Sequence, residues 1–360
     1  MKMKNKVILS SLLLLVATSL VGCSNTKQAA VSDDWATIEK QAKKEGKLAS
    51  VGMPDTWANW IGTWKDIKSK YGVKQTDTDM NSAEEIQKFK TEGKKGTADI
   101  GDVGMNVAPT AKSKGVLAKY KGKYWKDIPG WAKDNDGYWS TGYTGTIAFI
   151  TDKKNVKVGD APKSWADIKS GKYKVSVGDP TGGAQSQYAI LAVASTMGGN
   201  EKNIKPGLKY FADLNKQGRL STVEANVQNL KKGEVDVAIM WDFNALNYRH
   251  LIDEKRYEVT IPSEGSVMSG YSQIINKNAP HPYAARLARD YILSDEGQTN
   301  LAKGYARPIR ENVKLPKEVE NNLLPDSAYK HIYHVKDNNV WNKTTLKIGQ
   351  LWQTDVQSKR

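Results

Sequence analysis

The stretch 235–246, Val-Asp-Val-Ala-Ile-Met-Trp-Asp-Phe-Asn-Ala-Leu, limits the possible folds more than any other part of the chain. Val235, Val237, Ala238, Ile239 and Met240 make a short apolar run, entered from a polar segment at 231–234. Such a run suits a strand buried on both faces, as in a parallel α/β sheet. Trp241, Asp242 and Asn244 fall at or just past the strand's carboxyl end, where open α/β sheets bind ligands. A large ring beside an acid and an amide is a common make-up for a small-molecule pocket. The same acid could instead cap a helix over 245–249.

The amino terminus bears on the compartment. Lys2, Lys4 and Lys6 precede a mostly apolar run at 7–20, too short and wrongly flanked for a membrane span. It reads as a secretory signal and ends in Leu20-Val21-Gly22-Cys23, which resembles the bacterial lipobox. The resemblance implies a signal peptide over 1–22, acylation of Cys23 and a lipid-anchored tether over 23–32. Cys23 is also the single cysteine, so no disulfide framework and no thiolate metal cluster is expected.

The chain has 360 residues, 39% hydrophobic and 26% charged, enough for two globular units with buried cores. The formal charge is +15, and removal of the three leader lysines leaves +12. A field of that sign favours anionic partners, although scattered lysines also suit a solvated surface or an anionic envelope. No arginine-rich block or nucleic-acid motif is present, and no nucleic acid is expected as a partner.

In chain order, Trp35, Ile38 and Ala42 share a helical face over 33–45, with Asp33 or Asp34 as cap and Gly46 as stop. A strand at 48–52 runs into Asp55, Thr56 and Trp57. Asp55 or Thr56 is expected to cap the next helix, and Trp57, nearest the strand end, is the ligand candidate. Trp60 and Trp64 continue its helical face, and Trp64 suits the core. Ser82 with Glu85 three residues on reads as a capping box. A strand at 98–104 places Asp102 and Asn106 where polar groups would face a cleft. The segment 138–150 reads as a long strand with Tyr143 near its start. Alternation of strand and helix predicts an α/β fold with a mostly parallel sheet. After a strand at 174–177, Gly182, Gly183, Ala184 and Gln185 lead into an apolar helix. Unpaired N–H groups and the partial positive charge of such a helix start suit an anion.

Pro162-Lys163-Ser164-Trp165-Ala166-Asp167-Ile168 after the long strand resembles a motif of bacterial extracellular solute-binding proteins of ABC importers. The similarity lies with the branch holding ferric-iron, thiamine, polyamine, phosphonate and hexose-phosphate binders. Gly233-Glu234 before the strand at 235–240, Ser294-Asp295-Glu296-Gly297-Gln298 and Gly304-Tyr305-Ala306-Arg307-Pro308 also resemble family segments. The resemblance spans roughly 35–310. It implies the two-lobed, type II periplasmic-binding-protein fold, each lobe a mixed, mostly parallel sheet flanked by helices. Lobe 1 would comprise 33–145 and 268–360, and lobe 2 would comprise 146–267, with the ligand cleft between them. Ser164 would be a cap and Trp165 a core residue. Tyr271 would lie on the return crossing near the cleft. The family also implies lobe closure on a small solute and delivery to a membrane permease with an ATPase. The expected protein is a monomer on the outer face of the cytoplasmic membrane, with no cofactor and no metal.

For the ligand, the start at Gly182 and Gly183, Arg307 and the positive charge favour a phosphorylated or phosphonate compound. Trp57, Trp241 and Asp242 leave open a cationic, ring-stacked solute such as thiamine or a polyamine. Ferric iron is disfavoured by the absence of a Tyr-Tyr pair, although Tyr143, Tyr188, Tyr248 and Tyr271 are separate phenols. An enzyme is the competing class. No Gly-x-Ser-x-Gly elbow and no His-Glu-x-x-His occurs, and His331 with His334 is too small a set for a metal site. An adhesive surface protein would need neither a cleft ligand nor transporter partners.

Overall fold

The computed structural model describes residues 31–157 and 159–358. The signal peptide, the lipidation of Cys23 and nearly all of the tether therefore lie outside the described residues. No helix among the described residues is long and apolar enough to cross a membrane.

Helix α1 (Trp35–Glu45) begins at Asp34, whose carboxylate accepts the Thr37 N–H at 2.9 Å. It ends at Gly46 in the left-handed region, which suits glycine. Strand β1 (Lys47–Val51), helix α2 (Trp60–Tyr71), strand β2 (Lys74–Thr78), helix α3 (Ser82–Glu92) and strand β3 (Ile100–Gly104) follow, then helix α4 (Ala108–Ser113). Strand β1 pairs in parallel with β2 and β3, so this first block is the parallel arrangement that strand–helix alternation predicts.

Strand β4 (Trp139–Asp152) is buried along all 14 residues. Beyond it come α5 (Trp165–Ser170), β5 (Val175–Ser176), α6 (Ala184–Thr196), α7 (Lys205–Lys216), β6 (Leu220–Ser221) and α8 (Val227–Lys232). Strand β7 (Val237–Trp241) runs directly into α9 (Asp242–Ile252), and β8 (Tyr257–Thr260) precedes the long β9 (Ser266–Ile275). A second parallel block forms from β7, β5 and β6.

The two blocks are joined by an antiparallel pair. The main strand order is β2-β1-β3-β9-β4-β7-β5-β6, with β8 pairing with β4 off this path. Residues 139–146 of β4 pair with β9, and residues 147–152 pair with β7 and β8. One strand thus leaves the first block for the second, and β9 returns beside it. A register shift between Thr141 and Tyr143 interrupts the crossing, and such irregularities bend and re-aim a strand.

The motif at 162–168 sits as expected. Ser164 Oγ accepts the Asp167 N–H at 3.0 Å. Trp165 is buried with its Nε1 donating to Gly265 O at 2.9 Å, edge-on to Phe149 at 4.8 Å. Truncating a buried tryptophan of this kind costs about 3–5 kcal/mol.

Helices α10 (Pro282–Leu293) and α11 (Asp295–Lys303) follow β9, and α10 packs on α1. The short β10 (Arg307–Pro308) pairs with β4. Helix α12 (Lys317–Glu320), strand β11 (Ile332–Tyr333) and helix α13 (Asn338–Leu351) complete the chain, with a wide turn over Trp352–Gln357. The tail crosses to the second block: Trp341 lies 5.4 Å from Tyr188 of α6, and Trp352 lies 5.6 Å from Phe211 of α7. Thr110 of α4 donates to Asn342 at 2.9 Å, so α13 touches both blocks. Its packing divides the 268–360 segment, which the sequence places wholly in lobe 1.

Candidate functional site

A cavity of about 700 Å³ opens between the two blocks. Its size is that of a small-molecule pocket. The loop after β1 supplies Pro54, Thr56 and Trp57, the start of α3 supplies Asn81–Glu85 apart from Ala83, and β3 supplies Asp102. From the second block come Asp179, the α6 start at 183–186, the loop and α8 start at 224–228, and Tyr248 of α9. Tyr271 of β9 lies at the junction.

The loop after β1 does not form the helix cap expected of Asp55 or Thr56. Ala58 and Asn59 adopt positive φ (46° and 57°), and α2 begins only at Trp60. This detour leaves Trp57 outside the helix. Its Nε1 donates to Tyr143 Oη at 2.7 Å, and its ring meets Phe243 at 5.4 Å and Tyr271 at 5.3 Å. Trp60 and Trp64 stack on each other at 5.5 Å in the core. Asn247 Nδ2 donates to Thr56 O at 2.5 Å, a second tie between this loop and α9.

The capping box at α3 is also shifted by one residue. Asn81 and Glu84 form it, which frees Ser82 and Glu85 to turn onto β3. Ser82 Oγ accepts the Gly104 N–H at 3.0 Å, and Glu85 Oε2 accepts the Asp102 N–H at 2.9 Å. The Glu85 carboxyl lies between two glycines, Gly52 and Gly101: a Cβ at either would collide with one of its oxygens. Asp102 in turn receives Tyr143 Oη at 2.5 Å and Gln273 Nε2 at 2.7 Å. Trp57, Tyr143 and Asp102 therefore form one hydrogen-bonded chain at the cavity base.

The charge of the lining is one-sided. Asp79, Glu84, Glu85, Asp102, Asp179 and Glu224 line it, and among the described residues no lysine, arginine or histidine does. Asp79, Glu84, Asp179 and Glu224 are exposed around the mouth, while Glu85 and Asp102 are buried. Burial pushes Asp102 up to about 7, against the hydrogen bonds from Tyr143 and Gln273. Burial, with the adjacent Asp102 carboxyl, holds Glu85 well above the usual carboxylate range. Burial also raises Tyr248, to about 12. Removing a charged form from water raises an acid's pKa, and a like charge adds to the effect.

Of the residues singled out from sequence, Thr56, Trp57, Asp102, Gly183, Ala184, Gln185 and Tyr271 line this cavity. The others stand elsewhere, each for a local reason. Asp55 is exposed. Gly182 faces the Asn81 side chain. Asn106 is buried against Gln187, at 3.3 Å. Tyr143 is buried beneath Trp57 and stacked on Tyr271 at 5.7 Å. Trp241 is buried behind the wall, its N–H on Gln185 Oε1 at 3.0 Å and its Nε1 on Tyr271 Oη at 3.1 Å. Asn244 donates to the same Gln185 oxygen at 3.4 Å.

Asp242 is the first residue of α9, and its carboxylate turns back into the protein. Oδ1 accepts the N–H of Phe243 and of Thr146, each at 2.9 Å, and Oδ2 accepts Tyr329 Oη at 2.6 Å. It ties the helix start to the crossing strand and the tail, close to the capping alternative. Arg307 stacks on Tyr329 at 4.2 Å and pairs with Asp326 at 3.3 Å, beside a different cavity. It supplies no charge to the main one.

Asp79, Glu84, Glu85, Asp179 and Glu224 were not site candidates from the sequence, and Tyr248 stood there only as one of the separate phenols. Glu85 had a signal in the glycines that make room for it. Glu224, on a loop between β6 and α8, had none. Among the described residues no group of three or more His, Cys, Asp or Glu is arranged to hold a metal ion.

Residues 95–334 match the family described as bacterial extracellular solute-binding protein. The sulfate-binding protein of Escherichia coli is 26% identical over 241 residues, which span 64% of this chain and 69% of that one. The putrescine/agmatine-binding protein of Pseudomonas aeruginosa is 26% identical over 324 residues, spanning 75% of this chain and 84% of that one. The solved periplasmic binding protein AfuA of Actinobacillus pleuropneumoniae, with fructose-6-phosphate bound, superposes with a TM-score of 0.69 at 19% identity. That likeness is one of fold and covers 86% of this chain and 98% of AfuA.

Proposed function

The chain belongs to the bacterial extracellular solute-binding proteins, and we propose that its cavity takes a cationic, amine-bearing solute. It is a solute-binding protein of the ABC transporter class with the type II periplasmic-binding-protein fold, and its place is extracytoplasmic. One observation carries the ligand class: among the described residues, six carboxyl side chains line the cavity and no basic residue joins them. A cation in a partly desolvated acidic pocket gains Coulomb energy that an anion would lose. Trp57, Tyr248 and Tyr271 add ring faces of the kind that attract ammonium groups. The Pseudomonas aeruginosa relative is a putrescine/agmatine binder by name, which agrees with this reading.

The phosphorylated ligand favoured by the sequence rested on Arg307, Gly182, Gly183 and the overall charge. Arg307 stands outside the cavity, and the positive charge is spread over the rest of the surface. The start of α6 supports a second reading. Gly183, Ala184 and Gln185 line the cavity and no side chain caps that helix, so an anionic group could seat there. The Escherichia coli relative is named for sulfate.

Capture would proceed by closure of the two lobes, 33–145 with part of 268–360 against 146–267. The contacts of Trp57 with Phe243 and of Asn247 with Thr56 span the gap, and a closed state is favoured by contacts made only in it. No chemistry on the solute is required. The closed protein, monomeric and anchored through Cys23, would then present the solute to a permease and its ATPase. A thermal-shift panel of putrescine, agmatine, spermidine, thiamine, ferric salts, sulfate and hexose phosphates tests the ligand class. A ligand at a hundredfold excess over Kd stabilises by about 2.7 kcal/mol. Stabilisation by amines supports the reading, and stabilisation by sulfate or sugar phosphates alone supports the second.

A further inference from the structure

We infer that capture of a cationic solute drives a proton off the Glu85–Asp102 carboxyl pair into solvent, so that binding strengthens as pH rises toward neutrality. The inference rests on the reading of the cavity as a cation site.

The Glu85 carboxyl sits on the Asp102 backbone, so two buried carboxyl side chains share one wall of the cavity, and among the described residues no cation faces them. Glu85 Oε2 lies on the Asp102 N–H, and both side chains line the cavity while almost wholly buried. The groups that face them come from every surrounding element. Asp77 stands on β2 and is held by Ser50 Oγ and the Met53 N–H. Asp79 precedes α3. Tyr143 stands on β4, and Tyr271 and Gln273 stand on β9. With the Trp60 indole of α2 these are acids, phenols, an amide and an indole, and none of the described groups is a cation. Gly52 and Gly101 leave room for the Glu85 carboxyl and for nothing larger on either side.

Two adjacent buried carboxyls do not both ionise readily without a nearby positive charge. Burial agrees with this, since Asp102 is raised to about 7 and Glu85 lies well above its ordinary range. Without a bound cation the pair therefore holds a proton to higher pH than exposed carboxyls do. An ammonium group in the cavity supplies the missing charge. A carboxyl O–H bond breaks, the proton passes to water or buffer base, and the resulting carboxylate faces the cation. Nothing is oxidised or reduced. The bound state then holds fewer protons than the free state, so the association constant rises with pH. The rise is up to about tenfold per pH unit for one proton, and it levels where the free pair has already lost that proton.

The test is calorimetric titration of putrescine, agmatine and spermidine into the folded chain at about pH 6.5, in PIPES and in ACES, which differ in ionisation enthalpy. The amines stay protonated at this pH, so any proton exchange belongs to the protein. The expected heats differ between buffers by an amount equal to release of roughly one proton per bound amine. Glu85→Gln and Asp102→Asn should each reduce that release. Binding with the same heat in both buffers overturns the inference and leaves the cation reading standing. Failure of every amine to bind overturns both. The wild-type comparison needs no variant to fold.

Discussion

Glu85 Oε2 accepts the backbone N–H of Asp102 at 2.9 Å, so a carboxyl group of α3 rests against the first acid of the cavity base. This contact joins the helix after β2 to β3 and places two titratable carboxyls in the buried part of the site.

Asp102→Asn should weaken amine binding by about ten- to a hundredfold, the worth of a charge-assisted hydrogen bond of about 1.5–3 kcal/mol. Glu85→Gln should weaken it less, since Glu85 also holds the Asp102 N–H, an acceptor role that glutamine keeps. Titration of putrescine into each variant checks the order.

Unliganded stability should carry a matching pH signature. The folded chain raises Asp102 from 3.8 to about 7, so between these values the folded state holds a proton that the unfolded state has lost. Stability from this group is full below about pH 4 and falls as pH rises to about 7. Asp102→Asn has no such group. The Tm of the variant minus that of the wild type should therefore increase from pH 4 to pH 8. A constant difference would remove Asp102 from the set of titrating groups.

Trp57→Ala should raise the Kd for an amine by about tenfold or more, because it deletes both a ring face and the span to Phe243. The fold should tolerate it better than Trp60→Ala, since Trp60 is wholly buried. Chemical denaturation of the two variants gives the comparison, with a loss of about 3–5 kcal/mol expected for Trp60→Ala.

Asp242→Ala should act on stability. It leaves Tyr329 Oη and the Thr146 N–H without their acceptor, at a cost of about 1–3 kcal/mol for each buried group left unpaired. Amine affinity in the folded fraction should change little. A large affinity loss at unchanged Tm would place this carboxylate in the site after all.

The fold was legible because its signals are local and periodic. The apolar run at 235–240, the spacing of Trp35, Ile38 and Ala42 and the Ser164-Trp165 segment each state their own burial. The site was legible only in part. Trp57 announced itself in the loop after a strand and Asp102 as an acid within one, and Tyr271 entered through the family's return crossing. Asp242 was misleading for a physical reason. A strand end that turns straight into a helix can direct its acid to the ligand or back to the helix, and the choice depends on Tyr329, 87 residues away. The capping box misled in the same way. Asn81-Ser82 and Glu84-Glu85 offer two registers one residue apart, and the register that forms decides whether Glu85 faces water or Asp102. Charge was the least legible quantity. A chain of +15 hides a cavity whose described charged side chains are all acidic, because lysines cover its exterior while Glu224 and Asp179 reach the mouth from loops of the second block.

The most direct test is a pair of titrations, putrescine and sulfate, into the folded protein at matched ionic strength. The account predicts saturable binding of putrescine that weakens with added salt, and no binding of sulfate. Saturable binding of sulfate with none of putrescine would contradict it and move the site's chemistry to the start of α6.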